Sequence, residues 1–205
     1  MANRENPFGQ VLVALVTPFN ADGEVNWADV EKHIDHVVSN GVDGVVVTGT
    51  TGETSTLTDQ EKVKLVEVGK AVAGDRAKII MGGPSNETAH AIELAKKSAA
   101  VGADGLMVVT PYYNKPTQAG VLTHFRLVAD ATDLPVIMYD VPGRAGIEIK
   151  YDTIVRASQH PNILAVKDAK GDFYEVSRVL NTTDLLYFAG DDGNVLPHMS
   201  IGAAG

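Results

Sequence analysis

Lys167 ends the apolar run Ile163 to Val166, and a lysine at the end of a buried strand has the right chemistry to attack a ketone or aldehyde. The attack needs the neutral amine, which an ordinary lysine of pKa about 10.4 supplies in only about 4 of 10,000 molecules at pH 7. An apolar interior disfavours the ammonium, and a depression of roughly three units frees about a quarter of the amine. Strand alternation places Lys167 with Ala165 and Ile163 on one face, and Tyr139 with Ile137 on the matching face of the strand before. Asp168 then points the opposite way, and Lys170 in the following loop reads as an ordinary solvated lysine. A lone strand-end lysine more often snorkels to pair with a carboxylate. The tyrosine and threonine hydroxyls at neighbouring strand ends favour a reactive amine here.

Other groups at strand ends complement it. Gly49-Thr50-Thr51-Gly52 combines close backbone approach with two hydroxyls, a cradle of N–H and O–H donors for a carboxylate. Tyr113 and Tyr139 can pass protons through a hydroxyl chain, and Arg144 offers a two-pronged donor to a carboxylate. Taken singly, each of these is more often structural. His33 and His36 share one side of a helix but lack a third ligand for a metal, so they read as a solvated face. Asp191-Asp192-Gly193 lacks the further acidic positions of a calcium loop and reads as a loop and helix cap.

Positioning these groups requires short buried strands separated by helices. Val/Ile/Leu-rich runs recur at Val11 to Val16, Gly44 to Thr48, Lys78 to Met81, Gly105 to Thr110, Pro135 to Tyr139, Ile163 to Lys167 and Leu186 to Ala189, with amphipathic segments between them. Asn26, Thr58 with Glu61, Asn86, and Asp172 with Glu175 mark helix starts. The segment GVDGVVVTGT from Gly41 is echoed by GADGLMVVTP from Gly102, two βα units later, and Gly-x-Asp-Gly before a strand suits turn chemistry. Two architectures fit repeated βα units: a (β/α)8 TIM barrel or an open doubly wound sheet. Glycine-rich nucleotide fingerprints are missing, which favours the barrel. The expected domain is therefore an incomplete catalytic barrel over residues 1–205, with about seven βα units and with strand eight and the C-terminal helical region absent. Functional residues of such a barrel gather at the C-terminal strand ends. Those positions hold Thr17, Gly49 to Glu53, Gly82 and Gly83, Pro111 to Asn114, Tyr139 to Arg144, Lys167 to Lys170 and Gly190 to Asp192.

Composition narrows the function. With 17 Lys and Arg against 26 Asp and Glu, the formal charge is −9, which disfavours nucleic acid and anionic membrane as partners and points to small metabolites. The absence of cysteine excludes disulfides, thiolate metal sites and cysteine nucleophiles. The start MANRENPFGQ has no apolar signal core, and no apolar run approaches the roughly 20 residues that span a bilayer. A cytoplasmic location is expected, in which the sequons at Asn86 and Asn181 carry no consequence.

Six motifs in order complete the pattern: VTPF at 16–19, GTTGE at 49–53, VTPYYNKP at 109–116, YDVPGR-x-G at 139–146, VKDAKGD at 166–172 and AGDD at 189–192. Together they closely resemble the 4-hydroxy-tetrahydrodipicolinate synthase family, formerly called dihydrodipicolinate synthase, of class I pyruvate aldolases. The resemblance runs from about Val11 to Gly205. It implies a lyase in which Lys167 forms a Schiff base with pyruvate, and the enamine attacks L-aspartate 4-semialdehyde in diaminopimelate and lysine biosynthesis. It further implies a proton relay of Thr50, Tyr139 and Tyr113, with Tyr113 supplied across a dimer contact. Thr51 would hold the pyruvate carboxylate, Arg144 the semialdehyde carboxylate, and Gly190 would belong to the substrate site. No metal or organic cofactor is implied, and the full-length assembly would be a homotetramer, a dimer of dimers.

Sibling pyruvate aldolases such as N-acetylneuraminate lyase and keto-deoxy sugar acid aldolases share the fold, the lysine and the tyrosine of strand five. The double threonine of GTTGE and Arg144 argue against them, and the retained reactive groups argue against a non-catalytic metabolite-binding barrel. Asp140 and Lys170 resemble the actinobacterial branch, where the enterobacterial pattern has Asn and Thr. At the family's lysine-inhibitor site Asn86 and Tyr112 match, but Lys62 and His90 replace its His and Glu, so weak or absent feedback inhibition is expected.

Overall fold

A computed structural model describes residues 5–205; the first four residues of the amino-terminal segment considered above lie outside the described residues. Seven parallel strands pair in sequence order: β1 (Leu12–Ala14), β2 (Gly44–Val47), β3 (Lys78–Gly82), β4 (Gly105–Val109), β5 (Val136–Asp140), β6 (Ile163–Asp168) and β7 (Leu186–Ala189). An open doubly wound sheet reverses its strand order in the middle. Here each strand pairs with its neighbour in the chain, which is the order of a (β/α)8 barrel. The helices are α1 (Trp27–Ser39), α2 (Asp59–Ala73), α3 (Thr88–Ala100), α4 (Gln118–Ala129), α5 (Pro142–Ala145), α6 (Tyr151–Ala157), α7 (Phe173–Thr182) and α8 (Val195–Ser200). No described helix is long and apolar enough to cross a membrane.

Strand alternation sorts the apolar side chains into two cores. Val46, Ile80, Met107, Ile137, Tyr139, Ala165 and Phe188 fill the concave interior. Their neighbours Val45, Ile79, Leu106, Val136, Val166 and Tyr187 pack outward against the helices. Phe8, 1% exposed, plugs the N-terminal end of the interior and meets Phe188 edge-on at 6.2 Å. Gly105 makes room for it, because a Cβ there would lie 3.1 Å from the Phe8 ring. At the open side, the Ala204 N–H donates to the Tyr187 carbonyl at 2.8 Å and the Ala189 N–H to the Gly205 carbonyl at 3.0 Å. Ala204 and Gly205 thus enter the position of an eighth strand, and Gly205 abuts the backbone of Gln10 just before β1.

Local signals behave as their chemistry demands. Asn26 caps α1, and Thr58 and Glu61 form a reciprocal capping box on α2. The repeated Gly-x-Asp-Gly turns place Gly41 and Gly102 at φ of +93° and +90°. Their aspartates also bind backbone N–H groups across the sheet: Asp43 takes those of Gln10 and Val11, and Asp104 that of Ile79.

Three expectations need correction. Helix α3 is capped by the Glu87 carboxylate, while the Asn86 side chain instead donates to the Tyr112 carbonyl. Ile163 does not share the face of Lys167: the β5–β6 register slips between Val136 and Ile137, so Ile163 packs outward and Leu164 inward. Lys170 is no solvated lysine; its side chain is 14% exposed and pairs with Glu175, with Glu148 at 3.5 Å and with Asp140 at 3.8 Å.

His124 on α4 is 2% exposed, its Nδ1 lies 3.0 Å from the Thr88 hydroxyl, and burial lowers its pKa to about 4. A folded pKa below the unfolded value of about 6.5 means that unfolding takes up a proton, so stability is lost as pH falls through this window. The drop from this residue between pH 7 and 4 is about 3 kcal/mol. Asp140 opposes it, because burial pushes its pKa up to about 7 against the pull of Lys170, and its protonation favours the fold as pH falls. Urea unfolding of His124→Gln at pH 7 and pH 4.5 tests this. The variant is expected to gain stability relative to the parent at the lower pH, and an identical difference at both pH values would refute it.

Candidate active site

The C-terminal strand ends surround a cavity of about 720 Å³ lined by Thr50, Thr51, Tyr139, Arg144, Lys167 and Gly190. Six of the seven sequence-derived site residues therefore meet in one place. The seventh, Tyr113, stands apart: it is 87% exposed, carries a strained φ of +71°, and lines none of this cavity within its own chain. The cavity also opens past residues 10–14 of the β1 side and Phe188 to Asp192 of the β7 side.

Lys167 projects inward from β6, in register with Tyr139 on β5 and Phe188 on β7. Its Nζ lies 4.5 Å from the centroid of the Tyr139 ring. Burial lowers its pKa, and the carboxylate of Asp192 works in the opposite direction. The amine is thus biased toward its nucleophilic form while keeping a nearby anion.

The Gly49–Thr51 turn is held from three sides by buried threonines. Thr17 donates to the Gly52 carbonyl at 2.8 Å, Thr48 to the Gly82 carbonyl at 2.7 Å and Thr54 to the Gly83 carbonyl at 3.3 Å. Thr48 adopts φ +57°, a costly conformation for a β-branched residue, and also accepts the Gly82 N–H at 3.2 Å. These contacts leave Thr50 and Thr51 facing the cavity.

Arg144 lies in the short helix α5, is exposed, and joins no ion pair among the described residues. A guanidinium without a carboxylate partner at a cavity mouth is available to an anionic ligand. Gly190 donates its N–H to the Asp168 carbonyl at 2.7 Å, and a Cβ there would come within 2.9 Å of both Ala169 and that carbonyl. Only glycine brings the loop after β7 this close to the strand end bearing Lys167.

The AGDD segment is a loop and helix cap, as expected, and it is also part of the cavity. The Asp191 side chain does accept the Gly193 N–H at 3.2 Å, yet Asp191 and Asp192 also line the cavity. Their place directly after β7 was the available signal. His33 and His36 belong to no cluster of three or more potential metal ligands among the described residues.

Parallel strands that pair in chain order, with a half-buried lysine pointing inward at the end of β6, give the chain the arrangement of a (β/α)8 barrel. The model of the dihydrodipicolinate synthetase family matches residues 7–205, and the chain belongs to that family. It is 53% identical over 202 residues to the 4-hydroxy-tetrahydrodipicolinate synthase of Acidothermus cellulolyticus, an alignment covering 98% of this chain and 66% of that protein. The chain thus spans just under two thirds of the length of the curated relatives it matches. Among solved structures, the lysine-bound enzyme of Cyanidioschyzon merolae superposes with a TM-score of 0.95 at 43% identity, over 98% of this chain and 70% of that one. The chloride-inhibited enzyme of Acinetobacter baumannii complexed with pyruvate gives 0.93 at 40% identity, over 97% and 69%.

Proposed function

We propose that Lys167 condenses with pyruvate and that the resulting enamine attacks L-aspartate 4-semialdehyde, giving 4-hydroxy-tetrahydrodipicolinate for diaminopimelate and lysine biosynthesis. The observation that carries this reading is the half-buried Lys167 amine, its pKa lowered by that burial, facing a cavity with Tyr139, Thr50 and Thr51. The amine adds to the ketone carbon, and loss of water gives the imine. Loss of a methyl proton gives the enamine, whose carbon attacks the aldehyde. The substrate's own amine then closes the ring on the imine carbon and releases Lys167.

Thr50, Tyr139 and Tyr113 move protons in these steps, Thr51 with its backbone holds the pyruvate carboxylate, and Arg144 orients the semialdehyde carboxylate. The exposure of Tyr113 suits donation to the site of a second copy within a dimer of dimers. The reaction needs no metal or organic cofactor, and a cytoplasmic biosynthetic role fits its substrates. Borohydride reduction in the presence of pyruvate, followed by peptide mass analysis, is expected to find the reduced adduct on Lys167. An adduct confined to another lysine, or none, sinks the mechanism.

Feedback by lysine is expected to be weak. His90 is committed to Asp59 at 2.9 Å and Ser85 at 3.1 Å, and Lys62 is buried beside them with its pKa lowered by burial against the pull of Asp59. Charged, Lys62 repels an incoming ammonium; neutral, it still offers that ammonium no anion. Millimolar L-lysine should leave the rate nearly unchanged, and a halved rate would contradict this.

A further inference from the structure

Behind the cavity, on the outer face of the same strands, lies a buried group of ionisable side chains that the imine chemistry does not use. Asp168 follows Lys167 in β6 and is 2% exposed. Its Oδ2 accepts from His198 Nε2 and from the Gly171 N–H, both at 3.0 Å, and its Oδ1 accepts from the Lys170 N–H at 3.2 Å. His198, in α8, is 0% exposed, with its Nδ1 2.8 Å from the Asn194 carbonyl. Both ring nitrogens therefore face oxygen atoms, which fixes the orientation of the ring between Asn194 and Asp168. Such a buried polar pair adds little net stability compared with apolar packing, and its use is to fix one arrangement.

What it fixes reaches the cavity. Residues 192–194 form a 3-10 turn that runs directly into α8, so seating His198 against Asp168 seats the turn that begins at Asp192. Asp192 lines the cavity with Lys167 and favours its ammonium form. We propose that Asp168 and His198 are positioning residues for imine formation, holding α8 so that the Asp192 carboxylate stays at the cavity wall near Lys167. The proposal rests on Lys167 being the imine-forming lysine.

The charged and titratable surroundings of both ends are defined. Lys167 meets Tyr139 from β5 and Asp192 from the segment after β7, and Asp191 and Arg144 line the same cavity. Asp168 meets His198 and shares the outer layer with Asp140, Lys170, Glu175 and Tyr187.

The test is the pH dependence of borohydride trapping of pyruvate on Lys167, in the parent protein and in Asp192→Asn, His198→Phe, His198→Gln and the Asp192→Asn/His198→Phe double variant. Loss of the carboxylate in Asp192→Asn is expected to move the midpoint down by about half a pH unit or more. His198→Phe should move it the same way, and His198→Gln, which keeps a donor for Asp168, should restore most of the parent profile. In the Asp192→Asn background, His198→Phe should add nothing further. A His198→Phe midpoint equal to the parent's, or additive shifts in the double variant, overturns the proposal. If circular dichroism finds His198→Phe unfolded, Asp168→Asn replaces it in the same comparison. A parent protein that traps no adduct on Lys167 at any pH removes the imine reading itself, and the positioning role with it.

Discussion

Lys167→Met is expected to abolish pyruvate-dependent borohydride trapping and to lower turnover by about four orders of magnitude or more. Methionine nearly conserves the volume of the lysine stem, and the site it enters, between Ala165, Tyr139 and Phe188, is already apolar. Removing a buried amine from that site relieves a desolvation cost, so the fold should hold while the chemistry fails. Lys170→Met is the informative contrast. Lys170 pairs with Asp140, Glu148 and Glu175 behind the strands, so its loss leaves the buried Asp140 carboxyl and the partly exposed Glu175 and Glu148 without their shared cation. That variant should lose stability and keep the trapped adduct on Lys167. If Lys167→Met turned over within tenfold of the parent, or if Lys170→Met were the variant that lost trapping, the assignment of the nucleophile would be wrong.

Arg144→Ala should separate the two substrates. In the proposed mechanism pyruvate is held at Lys167 on the inner face of β6, whereas Arg144 sits exposed at the cavity with no carboxylate partner among the described residues. Trapping should therefore stay within about twofold of the parent, while kcat/KM for the semialdehyde falls about 100-fold, or about 2.7 kcal/mol, the scale of a lost charge-assisted pair of hydrogen bonds. Arg144→Lys keeps the charge and loses the planar fork, so it should recover only part of the deficit. Steady-state kinetics with each substrate varied in turn reads both effects. An unchanged kcat/KM for the semialdehyde in Arg144→Ala would remove Arg144 from the substrate site.

Much of the site was legible because it lies on local periodicity. GVVV at Gly44 to Val47 and ILAVK at Ile163 to Lys167 read as buried strands from composition alone, and in both the strand ends fall within a residue of the expected positions. The bulge between β5 and β6 was not legible, because one unpaired residue changes no composition and yet turns Ile163 outward. Asn86 looked like a helix cap by type, but Glu87 reaches the Ala89 and His90 N–H groups and frees Asn86 for Tyr112. The seating of His198 on Asp168 had no signal in the chain at all, since the two residues are 30 apart and the contact depends on where α8 packs.

Residue order alone settled the repeated βα units, the inward lysine at a strand end, and the hydroxyls and guanidinium that follow neighbouring strands, because backbone periodicity and turn chemistry act over a few residues. The pairing of charges was decided only when the sheet curled. Lys170 became a half-buried hub, burial pushed the pKa of Asp140 up to about 7, and Asp192 came to oppose the effect of burial on Lys167. Burial and Coulomb interactions sum over groups brought from distant parts of the chain, so the protonation balance around Lys167 belongs to the folded arrangement.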